Sequence, residues 1–72
     1  MKIEEILSQI LTELVRSEQS CVDWPDEAVY SAGIVTECAG RLMGSAIDDE
    51  NNQIQKEAVQ TIVAAIRLLK SL

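Results

Sequence analysis

Apolar residues near the start of the chain recur at steps of three and four, and this spacing constrains the fold more than any other feature of the sequence. They are Ile3, Ile6, Leu7, Ile10, Leu11, Leu14 and Val15. Such a stripe is typical of one face of an amphipathic α-helix. We therefore predict a helix over residues 2–17, with Glu4 and Glu5 in its first turn, where they complement the positive end of the helix dipole.

Two more helices are predicted after polar turns. Asp23 is expected to cap a helix over residues 25–47, with Pro25 in its first turn. The acids and amides of residues 48–52 form the next turn and lead into a third helix over residues 50–71. The fold class is therefore all-α, with one domain over residues 1–72 and three helices that each run antiparallel to their neighbours.

The core of this fold has to be aliphatic, because the 72 residues include one Trp, one Tyr and no Phe. Chains this short rarely build a sufficient core alone. The apolar stripe of the third helix is also wider than one partner helix could cover; it comprises Ile54, Ala58, Val59, Ile62, Val63, Ala65, Ile66 and Leu69. We predict a homodimer or higher homo-oligomer.

The charge balance narrows the choice of partners. Twelve acids against six bases give a net charge of −6, which opposes direct binding to nucleic acid. A basic protein, or a nucleotide bridged by a metal ion, fits this charge better. The chain has no His, which excludes the usual zinc sites and histidine-activated nucleophiles. No signal peptide or apolar span of ~20 residues is evident, so we expect a cytoplasmic protein without a membrane segment.

Two segments suggest a carboxylate metal site. Glu37 lies within Ile34–Leu42, and Glu57 opens the stretch Glu57-Ala58-Val59-Gln60. Acids three or four residues apart share one face of a helix, and a neighbouring helix can supply more oxygen ligands. A bound magnesium ion would act as a Lewis acid and activate water. Two carboxylates can contact a hard cation, whereas magnesium usually takes its oxygens from several carboxylates, waters and phosphates.

Segments 24–26, 33–37 and 57–60 resemble the phage and integron branch of the MazG-like all-α nucleoside triphosphate pyrophosphohydrolases. The resemblance covers about residues 23–69. It implies a dimer with a four-helix-type core. It also implies acids, in a Glu-Glu-x-x-Glu motif and a Glu-x-x-Asp motif, that hold magnesium against the substrate phosphates. Glu37 and Glu57 match the first acid of each motif, so the resemblance makes them the candidate metal ligands and magnesium the candidate cofactor. Cys38, Arg41 and Gln60 stand at positions where the family has acids.

These departures lead to three hypotheses. The first is a degenerate MazG-like protein, from a phage or mobile element, that has lost turnover and binds a nucleotide or a protein. The second is an active magnesium-dependent pyrophosphohydrolase, and the third a purely structural helical dimer. Arg41, Gln60 and Trp24 are candidate binding residues, and no catalytic residue is assigned. Arg41 puts a permanent cation where a metal ligand belongs, which favours the first hypothesis.

Simpler interpretations of the same residues stay open. Glu37 and Arg41 are spaced for an ordinary ion pair on one helix, and Glu57 is also interpretable as a solvated acid near Lys56. Trp24 fits either a packed lid on the bundle end or a platform for stacking a base. The glycines of the second predicted helix and the two cysteines are also open to a structural interpretation. Gly33, Gly40 and Gly44 suggest close helix approach, and Cys21 and Cys38 suggest two free thiols rather than a disulfide.

Overall fold

The computed structural model describes residues 1–72 as three α-helices without a β-strand. Helix α1 spans Ile3–Ser20, α2 spans Ala28–Ile47 and α3 spans Asn51–Ser71. The all-α, three-helix prediction is confirmed. None of these helices is both long enough and apolar enough to cross a membrane.

The connection between α1 and α2 differs from the prediction. Helix α1 continues to Ser20, three residues further than expected, and α2 begins at Ala28 rather than at residue 25. Pro25 lies three residues ahead of the helix rather than in its first turn. The N-cap of α2 is Glu27, whose side chain makes no capping hydrogen bond. Asp23 therefore does not cap this helix.

The turn predicted after α2 is confirmed, and its geometry is that of a Schellman motif. The Glu50 N–H donates to the Ser45 carbonyl oxygen at 3.2 Å, and the Asp49 N–H donates to the Ala46 carbonyl oxygen at 3.2 Å. Asp49 takes the left-handed position of this motif with φ 55°. The turn satisfies the last carbonyls of α2 within three residues, so α3 begins immediately afterwards at Asn51.

Helix α3 holds the molecule together. It packs against α1 and against α2, whereas α1 and α2 have no Cα atoms within 8 Å of each other. Contacts between α1 and α3 ascend along both helices, as in the pairs Glu18–Lys70 and Glu13–Gln60, so these two helices run in the same direction. Their shared core is formed by Ile10, Val59 and Val63, with Ile6, Leu14 and Ile66 packed around it.

The isolated chain buries little of its surface. Seven of 72 residues are buried, and the exposed surface is 5194 Å². A folded monomer of 7.9 kDa is expected to expose about 4,400 Å². The excess of roughly 800 Å² includes a second apolar row on α1, parallel to the buried one. Its residues, Ile3, Leu7, Leu11 and Val15, are 53 to 62 % exposed.

The three glycines of α2 do not mediate helix packing. A Cβ atom added at Gly33, Gly40 or Gly44 would meet no other atom within 4 Å. The predicted close approach of helices at these positions is therefore wrong for the single chain. The glycines lie on a face of α2 that α3 does not cover.

Candidate functional site

The residues singled out on α2 and α3 meet around the guanidinium group of Arg41. Its Nη1 lies 3.3 Å from Glu37 Oε1, and its Nε lies 3.4 Å from Glu57 Oε2. Its Nη2 lies 3.2 Å from Cys38 Sγ. We call Glu37, Cys38, Arg41 and Glu57 the Arg41 cluster. The cluster joins α2 to α3 by one cation held between two carboxylates.

The members of the Arg41 cluster differ in exposure. The side chain of Glu57 is 15 % exposed, against 51 % for Arg41 and 72 % for Glu37. Cys38 is buried. The interpretation of Glu57 as a solvated acid near Lys56 is therefore wrong, whereas the Glu37–Arg41 ion pair is confirmed. The cluster has a packed inner side, formed by Cys38 and Glu57, and a side open to solvent.

Electrostatics keep the cation of this cluster charged. At the high pH where an arginine titrates, the charge of the Cys38 sulfur is the main influence that raises the pKa of Arg41 above its ordinary value. The hydrogen bond and charge of Glu57 and the charge of Glu37 add to it, and desolvation opposes it. Arg41 is thus a fixed positive charge that both acids already share.

The Arg41 cluster does not fit a magnesium ion as it is arranged. Magnesium requires near-octahedral oxygen coordination, usually from carboxylates, waters and phosphates. Here a guanidinium group takes the position between the two carboxylates, and a thiol replaces a third oxygen donor. Nowhere in the chain do three or more Asp, Glu, Cys or His side chains lie close enough together to hold a metal. Binding of magnesium to Glu37 and Glu57 therefore requires Arg41 to move away.

Gln60 belongs to a different contact. Its Nε2 donates to Glu13 Oε2 on α1 at 3.4 Å, and Glu13 also pairs with Arg16 at 2.9 Å. Gln60 thus links α3 to α1, whereas Arg41 links α3 to α2. The structure brings Glu37, Arg41 and Glu57 together and separates Gln60 from their hydrogen bonds.

Trp24 packs at the end of the bundle where α1 and α3 finish. Its ring lies 4.5 Å from the guanidinium carbon of Arg67, measured to the ring centroid. Such a stack is a cation–π interaction. Arg67 is 6 % exposed and was missed as a site residue at the sequence level. Its place in the row Val59, Val63 and Arg67, at steps of four, is the signal that could have identified it as buried.

The two cysteines are free thiols in the structure, with Cys21 exposed and Cys38 buried. The prediction of two free thiols rather than a disulfide is therefore confirmed. Cys38 is the thiol that contacts the Arg41 guanidinium, and Cys21 follows the last residue of α1.

No protein-family model matches the chain, and neither a curated protein nor a solved structure matches it. The function is therefore inferred from the chemistry of the described residues.

Proposed function

We propose that this chain is a MazG-like helical protein, of phage or mobile-element type, that has lost pyrophosphohydrolase turnover and acts as a cytoplasmic binding module. The observation that carries the proposal is the position of Arg41 between Glu37 and Glu57. In a magnesium-dependent hydrolase these acids would face the metal ion. In this chain they face a permanent cation from the protein itself.

This substitution changes what the cluster can do chemically. An arginine can bind a phosphate group by two parallel hydrogen bonds. It cannot lower the pKa of a bound water as a metal ion does. Arg41 is half-exposed, so a phosphate could approach it by displacing Glu37, the more exposed of its two partners. We expect weak, metal-independent binding of nucleotides at this site, without hydrolysis.

A basic protein is the second candidate partner. The net charge of −6 favours association with a positively charged surface and disfavours nucleic acid. Exposed acids lie on α1 and on the two connections, and there are eight of them: Glu4, Glu5, Asp23, Asp26, Glu27, Asp48, Asp49 and Glu50. Their contribution would appear as an affinity that falls steeply with ionic strength.

Self-association is part of the same proposal. The excess exposed surface of roughly 800 Å² equals the area that each partner buries in a standard protein–protein interface. Helix α1 offers the row of Ile3, Leu7, Leu11 and Val15, and no Cα atom of α1 lies within 8 Å of one in α2. We propose that a second copy covers this row, with sequential helices antiparallel and a four-helix core formed between the two copies.

Two assays test the loss of turnover. Pyrophosphate release with magnesium or manganese is measured for a panel of nucleoside triphosphates, and binding of the same nucleotides is measured by calorimetry with and without metal. We expect no release and metal-independent binding that Arg41→Gln weakens. Magnesium-dependent release that Glu37→Gln or Glu57→Gln abolishes would refute the proposal and establish the alternative, an active pyrophosphohydrolase.

The structure also indicates how to rebuild a metal site. Cys38→Glu combined with Arg41→Glu places acids at two positions of the Arg41 cluster, beside Glu37 and Glu57. We expect this double variant to bind manganese more tightly than the parent chain does. Gln60→Asp is the matched control, because Gln60 faces Glu13 rather than the cluster. An equal gain from Gln60→Asp alone would contradict the arrangement described above.

A further inference from the structure

Arg67 is a buried cation without an acidic partner. It is 6 % exposed, and none of the four ion pairs of the chain includes it. Its Nη1 donates to the carbonyl oxygen and the hydroxyl oxygen of Ser17 at 3.2 and 2.9 Å. Its Nη2 donates to the carbonyl oxygen of Cys21 at 2.7 Å. Every acceptor of this guanidinium group is a neutral oxygen.

These acceptors lie at the C-terminal end of α1, where Ser17 is in the last turn and Cys21 is the cap residue. The helix dipole places the equivalent of about half a negative charge at such an end. Arg67 therefore stabilises the end of α1, but no full negative charge in the chain pairs with its own. A buried charge in this condition favours the approach of an anion.

A cleft of about 190 Å³ adjoins Arg67. Trp24 also lines it, and the Nε1–H of Trp24 is a buried donor without an acceptor in the chain. The rest of the lining includes the apolar side chains of Ile34, Val63 and Ala64. The cleft thus has a polar side, formed by a guanidinium group and an indole N–H without an acceptor, and an aliphatic side.

We propose that this cleft binds a small monocarboxylate with a branched aliphatic chain. The carboxylate would be held by Arg67 and the Trp24 N–H, and the aliphatic chain would lie against Ile34 and Val63. Room for about six water-sized groups limits the ligand to a short chain. Asp23 also lines the cleft and, with the net charge of −6, disfavours ligands of more than one negative charge. This site requires neither the Arg41 guanidinium nor a metal ion.

Trp24 provides the assay, because it is the only tryptophan of the chain and lines the cleft. Its fluorescence is followed while isovalerate, isovaleramide or acetate is added. We expect a saturable change with isovalerate at a Kd of about 1 mM. Isovaleramide should bind at least about tenfold more weakly than isovalerate because it lacks the negative charge. Acetate should also bind at least about tenfold more weakly, because it lacks the branched aliphatic chain.

Two variants separate this site from a purely structural role of Arg67. Ile34→Phe fills the cleft without altering Arg67 or Trp24, and should weaken isovalerate binding at least about tenfold. Val29→Phe is the matched control, because Val29 is 79 % exposed and lies outside the cleft. Both variants should keep the helical circular dichroism of the parent chain.

Two outcomes would overturn the proposal. Equal affinity for isovalerate and isovaleramide would show that the charge of Arg67 does not recognise the ligand. No saturable change with isovalerate in the parent chain would show that Arg67 serves α1 alone. Arg67→Met should remove the preference for the carboxylate over the amide. If that variant does not fold, the comparison of the two ligands in the parent chain and in Ile34→Phe decides the question.

Discussion

Replacing Leu11 by glutamate should weaken the proposed self-association, because Leu11 lies on the exposed apolar row of α1. Leu11 is 62 % exposed in the single chain. Full burial of a leucine side chain contributes about 1.5–3 kcal/mol, so covering the exposed part contributes about 1–2 kcal/mol. In a two-fold dimer the substitution occurs twice, which gives about 2–4 kcal/mol. The dissociation constant of Leu11→Glu should therefore rise by about 30- to 1,000-fold.

Sedimentation velocity over a range of concentrations measures this change. Thr12→Glu is the matched control, since it adds the same charge at a neighbouring exposed position that lies outside the apolar row. We expect Thr12→Glu to associate as the parent chain does, with an unfolding midpoint that rises with concentration. A parent chain that is monomeric at about 100 µM, where mass action populates even a weak dimer, would refute the reasoning. Equal association constants for Leu11→Glu and Thr12→Glu would also refute the reasoning.

Three further outcomes are expected. Asp49→Gly should raise the free energy of unfolding by about 1 kcal/mol, because glycine takes the left-handed position of Asp49 without strain. Chemical denaturation measures this free energy. Asp48→Gly is the control and should give no gain, because Asp48 lies at a right-handed position. Ser31→Ala should raise the thermal midpoint by a few degrees, because it removes a fully buried hydroxyl without a hydrogen-bond partner; a lower midpoint would show that a partner exists. Cys21 should react with a thiol reagent in the folded protein and Cys38 only after unfolding; a mass two units lower that reductant restores would instead indicate a disulfide.

The helices could be predicted from sequence, but the choice of the buried face could not. On α1 the rows Ile6, Ile10, Leu14 and Ile3, Leu7, Leu11, Val15 are both aliphatic and both repeat at four residues. Periodicity therefore indicates a helix without deciding which row meets α3. The structure buries the first row. That choice depends on α3 being the sole neighbour of α1, which is a tertiary property.

The candidate site was predictable to a similar extent. The Glu37–Arg41 pair follows from spacing within one helix, and its ion pair is observed. The third member, Glu57, joins only through the alignment of α2 with α3. Gln60 contacts α1 instead, and no spacing within α3 could predict a partner on another helix. Arg67 was overlooked because a basic residue near a helix end normally interacts with that helix's own dipole, whereas Arg67 caps a different helix.

The backbones of α1 and α2 lie far apart, with no Cα atoms within 8 Å of each other, and this separation has a consequence for the order of folding. Hydrogen bonds between α1 and α3 join residues 47 to 52 positions apart in the chain, whereas a three-residue turn connects α2 to α3. Local contacts form faster than distant ones, so we expect α2 and α3 to pair first and α1 to dock last. In the native state, the amide hydrogens of α1 should then exchange before those of α3. A first helix that detaches alone can also dock onto α3 of another molecule, which makes α1 the segment most suited to exchange between copies.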